Sequence, residues 1–281
     1  MCAGARAISV LGVRVFVLSS GSSGNAMLVE ANDGARVIVD AGLGPKVLTE
    51  RLRLLGVDLF PRRVDAIVLT HHHGDHFAHA EPLARALRAP LFLHAGISAK
   101  RVRSRWDVRE YAAGAPFVAG GIEVRAMHVP HDAPQVALSF TSSDDVRFGV
   151  VTDLGHVPAT LAPFLGACDA ALLEANYCPR MLADGPYPPR LRQRIAGGFG
   201  HLANEQTAEL AARLVGTRLG ALYLGHLSRS NNTPARALEV VAARCRGLAV
   251  RVVAHGVSCA IDVARSARVF SRGEQLALAF A

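Results

Sequence analysis

Thr70-His71-His72-His73-Gly74-Asp75-His76 gathers four side chains of metal-ligand type, His71, His73, Asp75 and His76, within six residues. The preceding Ala66–Leu69 reads as a buried strand that runs directly into this segment. Phe77–Leu87 has the pattern of a helix leaving it, with Pro90 beyond the helix end. His71 and His73 therefore stand at the mouth of a strand, and Asp75 and His76 at the start of a helix. Neutral imidazoles and a carboxylate are ligands that zinc, manganese and iron accept. If the loop turns between the two pairs, the histidine pair faces one ion and the Asp-His pair a second. The competing reading is an incidental histidine-rich turn.

A two-ion site needs more ligands, and suitable residues stand at strand ends downstream. His131 follows a strand over Ile122–Val129, Asp153 follows Val146–Thr152, and His226 follows Leu219–Leu224. A single aspartate such as Asp153 can bridge two cations and offset part of their charge. His128 competes with His131 but lies inside its strand, so it ranks below.

Working outward, the chain begins with strands at Val13–Leu18, Ala26–Ala31 and Arg36–Val39. A Ser/Gly loop, Ser19–Asn25, separates the first two, and Asn32-Asp33-Gly34 supplies the tight turn between the second and third. Lys46–Leu55 has helical periodicity, with Gly56 in the C-terminal cap position. Further strands are expected at Leu91–His94, Val136–Phe140, Ala170–Glu174 and, as the last one, Ala249–Ala254. Helices are expected at Asn204–Val215, with Asn204 as N-cap, and after Thr233-Pro234. Tyr177–Gly200, rich in Pro, Gly and Arg, reads as irregular chain that covers or borders the site. No linker divides the sequence. It is expected to form one α/β domain over 1–281 from two similar halves, roughly 1–140 and 141–281, packed sheet to sheet with helices outside.

With 281 residues, 51% of them hydrophobic, the chain can bury a large core. No apolar run approaches the roughly 18 residues that would span a bilayer. Arg6 precedes the apolar stretch Ala7–Leu18, but Arg14 interrupts it and no small-residue cleavage site follows, so the expectation is a cytoplasmic protein with no membrane partner. Five cysteines without CxxC spacing argue against a disulfide framework and for reduced, mostly buried thiols. The formal charge of +8 suits a polyanionic partner, although with only two lysines (Lys46 and Lys100) the excess also fits a genome-wide bias towards arginine codons. Local clusters lie at Arg51/Arg53, Arg62/Arg63, Lys100–Arg109 and Arg190–Arg194.

The order HxHxDH, His, Asp, His resembles the metallo-β-lactamase superfamily, and more specifically its YycJ/WalJ-like exonuclease branch. The stretches that carry the resemblance are Ser19-Ser20-Gly21-Ser22-Ser23-Gly24-Asn25, Glu174-Ala175-Asn176-Tyr177, Gly185-Pro186-Tyr187-Pro188, Gly200-His201-Leu202-Ala203-Asn204 and His226-Leu227-Ser228-Arg229-Ser230-Asn231-Asn232-Thr233-Pro234. They span residues from about 13 to 260. The resemblance implies a four-layer αββα sandwich of metallo-β-lactamase type. It implies two divalent ions, zinc or manganese, one held by His71, His73 and His131, the other by Asp75, His76 and His226, with Asp153 between them. Asp40 would brace the metal loop without binding metal. His72 stands where the family often has Glu, at a position that is not a ligand.

The implied reaction is phosphodiester hydrolysis by a metal-bridging hydroxide oriented by Asp75, and the implied substrate is nucleic acid, DNA taken from 5′ ends. Gly200-His201 followed by Glu205-Gln206-Thr207-Ala208 is similar to a segment of the RNase Z-type phosphodiesterases, where the histidine is associated with the scissile phosphate. His201 is thus a candidate catalytic and substrate-binding residue. Ser22 and Asn25 in the first loop and Asn232 after His226 are candidate substrate contacts, with a plain turn and a helix cap as their bland readings. Alternatives are an RNA or small cyclic-phosphate phosphodiesterase and a thioester hydrolase of the glyoxalase type. The chain between Asp153 and His226 is short for the inserted domain of RNA-processing relatives, and the segment after His226 is short for a glyoxalase-type helical region. A secreted β-lactamase would want an export signal, and an inactive scaffold would have lost ligands.

Overall fold

The computed structural model describes residues 12–59, 63–97 and 107–265. Arg62, Lys100 to Arg105 and Cys2 lie outside the described residues, as does the part of the N-terminal apolar stretch before Gly12. In chain order the elements are β1 (Val13–Ser19), β2 (Ala26–Ala31), β3 (Arg36–Val39), α1 (Pro45–Leu54), β4 (Ala66–Leu69), α2 (Gly74–Phe77), α3 (Ala80–Leu87), β5 (Leu91–His94) and β6 (Val108–Tyr111). There follow β7 (Phe117–Ala119), β8 (Ile122–Val129), β9 (Gln135–Thr141), β10 (Arg147–Val151), α4 (Leu161–Gly166), β11 (Ala170–Glu174), α5 (Pro179–Asp184), α6 (Pro189–Ala196) and α7 (Asn204–Leu214). The last are β12 (Ala221–Gly225), α8 (Pro234–Ala242), β13 (Ala249–Val252) and β14 (Cys259–Val263).

Two seven-stranded mixed sheets form, in the orders β14-β1-β2-β3-β4-β5-β6 and β13-β12-β11-β10-β9-β8-β7. Side-chain alternation along each strand builds three apolar layers. Val15, Val17, Ala66 and Val68 from the first sheet join Phe140, Val150, Leu172 and Tyr223 from the second in the core between the sheets. The alternate residues Phe16, Leu18, Ile67 and Leu69 face outward to Leu48 and Leu52 of α1 and Leu83 of α3. On the other side Ala171, Leu173, Leu222 and Leu224 pack with Leu165 of α4, Leu210 and Leu214 of α7 and Val241 of α8. The result is the expected αββα sandwich. Among the described residues no helix is long and apolar enough to cross a membrane.

Several local expectations change. The helix expected over Phe77–Leu87 is two, α2 and α3. His79 N donates to Ala41 O at 2.9 Å, and Pro82, which lacks an N–H, is tolerated only in a first turn, so a new helix starts just before it. Ala203, not Asn204, occupies the N-cap of α7, with its N–H bonded to Gln206 Oε1 at 2.9 Å. Asn204 is buried and its amide is spent on Asn232. The Tyr177–Gly200 stretch holds two short helices, α5 and α6, each opening on a proline at its first position. Ala249–Val252 is not the last strand, because β14 returns to the first sheet and pairs with β1. The chain crosses from the first sheet to the second between Tyr111 and Phe117.

Close backbone contact joins β3 to the metal loop. Ala41 N donates to His76 O (2.7 Å), Gly42 N to Asn25 O (2.9 Å) and Asn25 N to Asp75 O (2.7 Å). A Cβ on Gly42 would fall 1.9 Å from Asp75 O and 2.4 Å from Asn25 N, both backbone atoms. Gly42→Ala is therefore expected to cost about 1–3 kcal/mol, read as a lower urea midpoint at unchanged m. Gly74→Ala, where a Cβ meets nothing within 4 Å, should stay within about 0.5 kcal/mol of wild type. Equal midpoints for the two variants would remove the close-approach argument.

Candidate metal centre

Backbone geometry at three strand ends delivers the site. Asp40, Asp153 and His226 follow β3, β10 and β12, and all three are non-glycine residues with left-handed φ, of 62°, 56° and 51°. Such conformations cost of order 1–3 kcal/mol each, and specific bonds hold them. Asp40 N donates to Val68 O (2.9 Å), Asp153 N to Glu174 Oε2 (3.0 Å) and His226 N to Ser20 Oγ (2.8 Å).

Every candidate histidine ligand is fastened through one ring nitrogen. His71 Nδ1 lies 3.1 Å from Thr70 Oγ1, which itself donates to Asp40. His76 Nδ1 donates to Asp40 Oδ2 (2.7 Å), His131 Nδ1 to Gly200 O (3.1 Å) and His226 Nδ1 to Glu174 Oε2 (2.8 Å). His73 Nε2 lies 3.3 Å from Asp132 Oδ1. Such outer bonds fix the tautomer and aim the other nitrogen inward. His71 Nε2, Asp153 Oδ2 and His226 Nε2 are buried there without a hydrogen-bond partner.

Among the described residues the ligand-type atoms fall into four groups in which all lie within 4.8 Å of one another: His71, His73 and His131; Asp75, His76 and His226; His71, His76 and Asp153, which overlaps both; and Asp153, Glu174, His201 and His226. Orphaned buried donors of this chemistry fit divalent cations. His72 and His128 join none of these groups.

The electrostatics agree with that fit. Burial, with help from the neighbouring imidazoles, holds His71 and His73 below the ordinary histidine range and keeps them neutral, as ligation requires. Burial opposes charge on His76 too, but the Asp153 and Asp40 carboxylates push it up to about 10. Asn25 Nδ2 donates to His76 Nε2 at 2.8 Å, a bond that only the neutral ring can accept. The ring is thus neutral, and the upward push is the pull of these carboxylates on any positive charge, proton or metal ion.

A cavity of about 400 Å³ opens over the groups, lined by His73, Asp75, His131, Asp153, His201, His226 and Ser22 among others. Tyr187, Leu191, Arg194 and Ile195 form its far wall, so the Tyr177–Gly200 stretch does border the site. Asn25 and Asn232 lie behind the wall. The Asn25 amide bonds Gly21, Asp75 and His76, and Asn232 exchanges bonds with Asn204 and reaches Ala175 O.

Glu174, read from the sequence only within the Glu174-Ala175-Asn176-Tyr177 motif and without a role of its own, joins His201 to the candidate ligands Asp153 and His226. It is 0% exposed. Its Oε2 accepts from His201 Nδ1 (2.9 Å) as well as from His226 and Asp153 N, and its Oε1 accepts from Leu202 N (2.8 Å). Burial alone would raise its pKa, but His201 and His226 bring it to about 2. In return, Glu174 lifts His201 above the ordinary imidazole range against the effect of burial. A signal existed: Glu174 ends an apolar strand paired in register between the strands that lead to Asp153 and His226.

A family profile described as the metallo-beta-lactamase superfamily matches residues 20–172. The chain is 34% identical over 232 residues to exodeoxyribonuclease WalJ of Streptococcus pneumoniae, covering 80% of this chain and 85% of that protein. It is 30% identical over 235 residues to exodeoxyribonuclease YycJ of Bacillus anthracis, covering 79% and 85%. Among solved structures, the metallo-beta-lactamase fold protein YhfI from Bacillus subtilis superposes with a TM-score of 0.68 over 89% of this chain and 99% of its own, at 20% identity, a likeness of fold alone.

Because Asp40 holds His76 and Thr70 together, Asp40→Asn is expected to leave the fold intact and weaken metal binding about 10–100-fold. Competition against a chromophoric chelator measures this. Unchanged affinity would show that Asp40 does not brace the ligands.

Proposed function

The chain belongs to the metallo-beta-lactamase superfamily, and from that premise we propose that it is a DNA exonuclease with two divalent cations, zinc or manganese, digesting from 5′ ends. One ion is assigned to His71, His73 and His131 and the other to Asp75, His76 and His226, with Asp153 shared. When bound, such a pair lowers the pKa of water towards neutrality and offsets charge on a phosphoryl oxygen. The residues of the chain supply the rest. Asp75, on the cavity wall, orients the attacking water. His201, drawn towards its protonated form by Glu174, donates to the phosphate or the leaving oxygen. Ser22 faces the cavity and is retained as a substrate contact, whereas Asn25 and Asn232 are assigned to positioning the groups in front of them.

The observation that carries this reading is the His201–Glu174 pair on the wall of the cavity. His201 stands within ligand distance of Asp153, Glu174 and His226, but Glu174 occupies its Nδ1, and we assign the ring to proton donation, which thioester hydrolysis needs less. The choice of DNA follows the two exodeoxyribonucleases that the chain resembles over most of their length.

The test incubates protein reconstituted with Mn²⁺ or Zn²⁺ with end-labelled single- and double-stranded DNA, RNA and a cyclic dinucleotide. Stepwise shortening of DNA from the 5′ end is expected, abolished by Asp153→Ala. His201→Ala should lower kcat by about 10²–10⁴-fold with metal content unchanged. Cleavage of RNA or the cyclic dinucleotide alone would replace the substrate, and no phosphodiester cleavage by protein holding two ions would refute the reading.

A further inference from the structure

Of the Phe, Tyr and Trp side chains among the described residues, Phe199 alone is exposed, with 62% of its surface open to solvent. A lone exposed apolar side chain is ordinary. The frame that carries this one is not. It sits in Gly197-Gly198-Phe199-Gly200, between α6 and His201. Gly200 N donates to Gly197 O (2.9 Å) and His201 N to Ile195 O (2.8 Å), folding the loop back onto the end of α6.

Two outside segments then pin it. His131 Nδ1 donates to Gly200 O at 3.1 Å, and His156 Nδ1 to Gly198 O at 2.8 Å. The Asp153 segment approaches so closely that a Cβ on Gly155 would lie 2.3 Å from the Gly198 carbonyl. A Cβ on Gly200 would lie 2.2 Å from the carbonyls of Arg194 and Ile195. The backbone under the ring is thus fastened to the segments that carry His131 and Asp153.

The ring stands edge-on to His156, with centroids 6.4 Å apart and planes at 78°. It walls a shallow groove with Val129, Pro130 and Pro134. That groove and the central cavity share His131 and Asp132 as lining residues, so the two lie side by side. The adjoining α6 carries Arg190, Arg192 and Arg194 and no acidic residue; Arg194 is paired with Asp132 at 2.7 Å, so Arg190 and Arg192 are the charges that suit a phosphate backbone. A flat apolar ring on a fixed backbone, with only two side-chain torsions to freeze, can be covered by another ring at small entropic cost.

The geometry points to Phe199 as a base-stacking platform, on which an unpaired nucleobase beside the scissile phosphate lies while Arg190 and Arg192 of α6 follow the strand. The inference rests on the nucleic-acid reading above and adds a preference to it. Single-stranded or frayed ends are favoured over blunt duplex, because a base held in a duplex has its faces covered by stacked neighbours and cannot turn onto the ring without breaking its pair.

Equilibrium binding reads the platform apart from hydrolysis. A single-stranded oligodeoxynucleotide with 2-aminopurine beside cleavage-resistant phosphorothioate linkages is titrated with the full-length, Mn²⁺-loaded protein. Wild type is expected to quench the fluorescence. Phe199→Ala should lose the quench and bind about tenfold more weakly, and Phe199→Tyr should retain both. An abasic position in place of the base should weaken wild type by the same factor and leave Phe199→Ala unaffected. Equal quenching and affinity in wild type and Phe199→Ala would overturn the platform even if DNA is degraded normally. An intact, Phe199-dependent quench without hydrolysis of any unmodified strand would sink the exonuclease reading and support the platform. Failure to bind the oligonucleotide at all would overturn both.

Discussion

Buried carboxylates need compensation, and the layout of this molecule around its rim follows from how it is supplied. Asp40, Asp153 and Glu174 are all nearly or fully inaccessible to solvent, and each such ion costs several kcal/mol unless it is paired and hydrogen-bonded. Asp40 is satisfied by Thr70 and His76, and Glu174 by two imidazoles and three backbone N–H groups. Asp153 differs, because its Oδ2 has no hydrogen bond although His76 Nε2 lies 3.1 Å away. The first two carboxylates are therefore answered by protein groups, while the third is left turned towards the point where the free imidazole nitrogens meet. That division of labour separates bracing acids from a ligand acid more sharply than sequence position does.

The αββα sandwich turns that requirement into geometry. Parallel pairing of β10, β11 and β12 sets the ends of three strands side by side, so Asp153, Glu174 and His226 emerge on one edge. β3 and β4 do the same for Asp40 and the His71–His76 loop. Left-handed backbone at Asp40, Asp153 and His226 turns the chain sharply as each strand ends, bringing its side chain back over the edge instead of letting it run on outward. Ser20 then ties the His226 end to the first loop of the other sheet. The two sheets thus meet through hydrogen bonds at the site as well as through apolar burial between them.

What the sequence makes legible follows the same physics. Apolar alternation marks the central strands, and ligand chemistry at dense spacing marks the His71–His76 segment, because both are local. Thr233-Pro234 and Gly56 are likewise local, and the structure has a Thr233 cap and a left-handed Gly56. β6 and β14 are harder to read, since exposed and half-buried residues interleave their few buried ones, and their pairing depends on distant partners. Asn25 and Asn232 look like substrate contacts from their polar neighbourhoods, but an amide's partners are set by tertiary contact. Pro82 and the prolines at 179 and 189 were visible signals whose meaning depends on their position in a helix, which the periodicity alone does not supply.

Glu174 also constrains how this site can change. On the proposed roles, it holds a metal ligand, His226, and a proton donor, His201, through the same oxygen, Oε2, and that oxygen also holds the backbone of Asp153. Shortening or neutralising it would release the donor, loosen a ligand and free a left-handed turn together, so no substitution at 174 adjusts one of these alone. Variation in substrate is thereby directed elsewhere, to side chains that touch the cavity without carrying the ligands. The far wall offers them: Tyr187, Leu191 and Ile195 come from α6 and its approach, elements whose helical residues are mostly exposed and bound to the core by few contacts. A rim fixed by a shared carboxylate and an exposed wall beside it separate what holds the site from what can change around it, as sites are grafted on folds.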